Sequence, residues 1–66
     1  MPKKYGEVRR ILRDAGWTPV RQAGSHETWK SADGKRSVIV SGRAAKMVPV
    51  GTLASMRRST GLDGLR

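Results

Sequence analysis

Between Lys4 and Ala15 the apolar residues Tyr5, Val8, Ile11, Leu12 and Ala15 recur three or four apart, the spacing of one stripe along a helix. Arg9, Arg10 and Arg13 fall on the other side, by default a solvated face and equally open to contacts with a nucleic-acid backbone, and Gly16 stands where a left-handed residue closes a helix. From Trp17 to Gln22 the period shortens to two: Thr18, Val20 and Gln22 alternate with Trp17, Pro19 and Arg21, which predicts a strand. Pro19 has no amide to donate, so this strand belongs at a sheet edge or Pro19 at its start. Ala23-Gly24-Ser25 is a turn built on a permissive glycine. His26 to Ser31 forms a second strand, with Glu27 and Trp29 on one face and His26, Thr28 and Lys30 on the other. Asp33-Gly34, inside Ala32 to Lys35, signals a tight hairpin into a third strand, Arg36 to Ser41, β-branched at Val38, Ile39 and Val40.

Gly42 to Val50 then reads as a loop that carries Arg43 and Lys46 and is closed by Pro49. Thr52 is placed to cap a second helix whose Leu53 and Met56 face inward, and Gly61 ends it. Leu62 folds back as an apolar tail, and the residues from there to Arg66 are expected to fray. The order helix, three strands, helix predicts an α+β fold, two helices on one face of a three-stranded antiparallel sheet. Residues 1–66 make a single domain with an ordered core at about 4–62. A domain of this size buries only about 60% of the surface its unfolded chain exposes, so its core is small. Trp29 alternates with His26 and belongs to that core rather than to a base-stacking surface, and Trp17 is open to both readings.

Charge narrows the possible partners. Fourteen Lys and Arg against five Asp and Glu leave a net +9, which predicts salt-dependent attraction to a polyanion. Apolar runs such as Val38-Ile39-Val40 fall far short of the ~20 residues a spanning helix needs, and no charged segment leading into an apolar run opens the sequence. The expected setting is cytoplasmic, without a membrane. With no cysteine and one histidine, disulfides are excluded, the usual zinc-ligand clusters are missing, and no metal or cofactor is expected. The spacing of a phosphate-binding loop is also missing at Gly51-Thr52, which reads as a helix start. By default a lone strand histidine is a half-exposed polar residue. Glu27, on the face opposite His26, is a weak candidate base.

The run Gly16-Trp17, then Val20-Arg21-Gln22-Ala23-Gly24-Ser25-His26-Glu27-Thr28-Trp29-Lys30, resembles the central stretch of HicA-type (YcfA-like) toxins. In these a helix closes on Gly-Trp or Gly-Phe, and an Arg- and Gln-rich strand leads to Gly-Ser-His with an aromatic three residues on. Pro49-Val50-Gly51-Thr52-Leu53, Met56 and Gly61-Leu62 resemble the family's second-helix opening and close. The resemblance covers about residues 4 to 62. It implies a double-stranded-RNA-binding-domain-like fold and the toxin of a type II toxin–antitoxin system. Such a toxin is an endoribonuclease (mRNA interferase) that cuts mRNA and is neutralised by a HicB-type antitoxin. The family's catalytic histidine falls on His26. Many members carry one or two further histidines after the third strand, where Ser41-Gly42-Arg43 stands here, so no role for a second histidine carries over.

Histidine suits this chemistry because its ordinary pKa of about 6.5 lets it take and return a proton near neutrality. Its partners on RNA are expected to be Lys30 on the same strand face, the amides near Gly24 and Ser25, and the cations Arg21, Arg43 and Lys46. The general acid is left open between His26, water and another side chain. Two rival readings need no catalytic histidine: a non-catalytic RNA-binding module and a basic structural or ribosome-associated protein.

Overall fold

The computed structural model describes residues 3–65, so the expectation for Arg66 lies outside the described residues. Along the chain come α1 (Tyr5–Asp14), β1 (Thr18–Ala23), β2 (His26–Lys30), β3 (Ser37–Ser41), α2 (Val50–Thr60) and a short 3-10 turn, Asp63–Leu65. This is the predicted α-β-β-β-α order, in the manner of a double-stranded-RNA-binding domain.

The stripe of α1 buries Tyr5, Val8 and Leu12. At its N-terminus the amides of Tyr5 and Gly6, which have no partner inside the helix, donate to the carbonyls of Lys46 and Ala44, both at 3.0 Å. At the other end Gly16 adopts φ +89°, and the Trp17 amide reaches the Leu12 carbonyl at 2.9 Å, as expected for a glycine-closed helix.

The strands pair antiparallel in the order β1-β2-β3. β1 is an edge, as Pro19 required. Its alternation is not the regular one expected: the register shifts between Pro19 and Arg21, so a bulge at Val20 sets Arg21 opposite Thr28. The hairpin from β2 to β3 is wider than a two-residue turn. Ser31 donates to Arg36 at 3.0 Å across a four-residue loop, inside which Asp33 Oδ1 accepts from the Ser31 hydroxyl and the Lys35 amide.

Both helices lie on the face that carries Trp29, Val38 and Val40, and together they enclose Trp29, Leu12, Leu65, Val8 and Val40 completely. Trp17 is also in this core, which decides between its two readings. Thr52 is not the cap of α2. Pro49 takes that place with ψ 144°, its carbonyl accepting from Leu53 at 2.9 Å, and Thr52 sits inside the first turn. The expected fraying after Leu62 is also overturned at Leu65, which is 0% exposed. Gly61, left-handed at φ +71°, turns the chain so that the 3-10 turn delivers this leucine back into the core. The loop after β3 is held close to α1. A Cβ on Gly42 would lie 2.5 Å from the Tyr5 ring, so that approach needs glycine.

Candidate nucleic-acid interface

His26 opens β2 at the tip of the β1–β2 hairpin, paired with Ala23 on one side and Ser41 on the other. It is exposed, as is Lys30, and both lie on the sheet face turned away from the helices. The bulge brings Arg21 to that same face, because its cross-strand partner Thr28 shares the face of His26. His26 therefore shares the open sheet face with Arg21 and, at the far end of β2, with Lys30. Gly24 and Ser25 form the two-residue turn before it, with Gly24 at φ +59° and its carbonyl accepting from Gln22 Nε2 at 3.2 Å.

The remaining predicted residues gather elsewhere. Ser25, Arg43 and Lys46 line a cleft of about 430 Å³ at the end of the sheet, together with Arg9, Glu27 and Ser41. His26 does not line it, but the cleft begins at its chain neighbour Ser25 and its strand partner Ser41. The candidate residues thus form two adjoining surfaces, one the open sheet face and the other this cationic cleft.

Arg9 is the residue that sequence reasoning misplaced. Its position on α1 predicts a solvated side chain, yet this is only 15% exposed. Its Nε donates to Glu27 Oε1 at 3.0 Å, and its Nη2 donates to the Gly42 carbonyl. A signal was present in the spacing: Arg9 lies four residues beyond Tyr5 and three before Leu12, on the border of the buried stripe. Its bridge ties α1 to β2 beside His26 and to the loop bearing Arg43. Arg13, one turn on, stacks over Trp29 at 5.5 Å from the ring centroid.

Glu27 also accepts from the Trp29 indole at 3.0 Å. Burial pushes its carboxyl up, but the hydrogen bonds from Trp29 and Arg9 and the charges of Arg9 and Arg13 outweigh this and hold it below its ordinary value. A carboxylate kept ionised between two arginines on the helix side of the sheet is a structural counter-ion. It faces away from His26, as the alternation of β2 predicted.

This small, strongly cationic α+β domain, with an open, His-bearing sheet face, has the layout of a double-stranded-RNA-binding-domain-like fold. The family model described as HicA toxin of bacterial toxin–antitoxin systems matches residues 5–62. The chain belongs to the HicA toxin family, whose members are toxins with cognate antitoxins and are generally ribonucleases. Comparison with curated proteins and with solved structures finds no match. Among the described residues no helix is long and apolar enough to cross a membrane.

Proposed function

We propose that this toxin is an endoribonuclease that cuts mRNA without a metal, with His26 as its proton-transfer group and a HicB-type antitoxin as its inhibitor. The observation that carries the reading is the position of His26: an exposed imidazole at a hairpin tip, on an open face that also carries Arg21 and, at the far end of β2, Lys30. Family membership supplies the toxin context. Among the described residues no three of His, Cys, Asp and Glu gather in a group able to hold a metal.

In this reading His26 takes the proton from a ribose 2′-OH. The 2′-oxygen attacks the adjacent phosphorus, the bond to the 5′-oxygen breaks, and a 2′,3′-cyclic phosphate and a 5′-OH result. The proton returns to the leaving 5′-oxygen from the imidazolium or by way of water. Arg21 stabilises the charge that grows on the non-bridging oxygens, Lys30 at the far end of β2 holds a neighbouring phosphate, and Gly24 and Ser25 let the backbone come close to the one being cut. Arg43 and Lys46 hold the flanking strand along the cleft. A single positioned acid–base group contributes about 10²–10⁴-fold, so a slow enzyme is expected.

Induction of wild-type and His26→Ala protein in parallel tests the proposal. The variant is expected to keep its circular-dichroism melt, because an exposed side chain is lost, and to stop both mRNA cleavage and growth arrest. In vitro cleavage should persist in EDTA. Messages cut equally by the variant would remove His26 from the mechanism, and a protein that shifts RNA in a gel without shortening it would be a binding module instead.

A further inference from the structure

The two edges of the sheet are not equivalent. On β1 the open edge is blunted in three ways: Pro19 removes an amide, the bulge at Val20 breaks the ladder, and Arg21 adds charge, all devices that discourage another strand from pairing. β3 carries none of them. Its sequence, Ser37-Val38-Ile39-Val40-Ser41, is uncharged, free of proline and regular in register against β2.

The backbone polarity of that edge follows from the hairpin. The Ser31 amide bonds the Arg36 carbonyl, and in an antiparallel ladder bonded and non-bonded pairs alternate. The pairs Trp29–Val38 and Glu27–Val40 are therefore the bonded ones, and the amides and carbonyls of Ser37, Ile39 and Ser41 point away from the sheet. Among the described residues no other segment's backbone bonds to them. Ile39 is 57% exposed. A groove of about 520 Å³ runs beside β3, between Ser37, Val38 and Ile39 and the α2 residues Gly51, Thr52, Ser55, Met56 and Ser59, which are mostly small, so there is room for a chain beside β3.

We infer that β3 is a docking edge that accepts an extended strand from the antitoxin, one with an apolar centre and acidic residues at both ends. This rests on the toxin reading, and it adds how the partner is held. The charge at the two ends of β3 selects the occupant: Lys35 and Arg36 precede the strand, Arg43 follows it, and Arg58 is exposed on α2. A second copy of this chain is a poor occupant. Antiparallel self-pairing centred on Ile39 would set Lys35 of each copy opposite Arg43 of the other, and like charges directly opposed are destabilising. An acid-flanked strand turns both ends into attractions, while backbone hydrogen bonds to Ser37, Ile39 and Ser41 supply the pairing. Such a strand would lie about 10 Å, two strand spacings, from β2, next to Ser41, the cross-strand partner of His26.

The test is amide hydrogen exchange on the unmutated toxin, alone and bound to the product of its neighbouring reading frame, co-expressed and purified with it. The Ile39 and Ser41 amides are expected to exchange freely in the toxin alone and to slow at least 100-fold in the complex, while Val38 and Val40 are slow in both. Ile39→Pro, which deletes one outward donor, is expected to weaken the complex at least tenfold. If that variant does not fold, the exchange measurement decides alone. A complex that forms with the Ile39 amide still fast overturns the docking edge but leaves the toxin reading standing. A neighbouring product that does not bind at all overturns the toxin reading. Protection of Ile39 in the toxin alone, with sedimentation as a dimer, identifies a second copy as the occupant and also overturns the proposal.

Discussion

Glu27 and His26 are joined by one peptide bond, yet strand alternation sends one to the helices and the other to solvent. That separation lets Glu27 stay an ionised counter-ion to Arg9 while His26 stays exposed on the open face. Because its folded-state pKa is depressed, the stability from Glu27 is fully present above the unfolded value of about 4.3 and is lost as pH falls through the lower folded value. The melting temperature should therefore fall on acidification below about pH 4, and Glu27→Gln should flatten that part of the curve. The same substitution leaves Arg9 partly buried without its charge partner and should cost about 1–3 kcal/mol at neutral pH, read from urea unfolding. His26→Ala should show neither effect. The role of Glu27 was half legible in the chain: period two gives its face, but nothing local indicates that an arginine 18 residues away would meet it.

Among the elements, the two helices and three strands could be read from periodicity because each needs only contacts along its own length or a single buried face. The last turn could not. Gly61 was legible as a helix end, but the leucine four residues later is buried only because α2 and α1 leave a space for it. Leu65→Ala should accordingly destabilise the fold by about 2–5 kcal/mol, as a fully buried leucine does, which denaturant unfolding can measure. A frayed tail would give no change. The bulge in β1 is a second case. Pro19 advertised the edge, but the extra residue that carries Arg21 to the face of His26 follows from pairing with β2, which no single strand encodes.

Across the molecule, the net +9 becomes useful only where the fold concentrates it. If Arg21, Lys30, Arg43 and Lys46 each neutralise one phosphate of single-stranded RNA, log K against log salt should have a slope near −3. Replacing any one of them with glutamine should reduce that slope by about 0.7, as filter binding of His26→Ala protein to uncleaved RNA would report. Arg10→Gln, on the exposed side of α1, should leave it unchanged.

The order of elements, the buried stripe of α1, the alternating faces of β2, the closing glycines at Gly16 and Gly61 and the overall cationic character are all present in the linear chain. They arise from repulsions, hydrogen bonds and burial patterns that act over a few residues. The cleft beside His26, the Arg9 bridge from Glu27 to Gly42, the seat of Leu65 and the contrast between a blunted and an open sheet edge required the folded molecule. Each joins groups distant in sequence, 33 residues in the case of Arg9 and Gly42. Such contacts form only when packing has already brought their ends together, so no local pattern announces them.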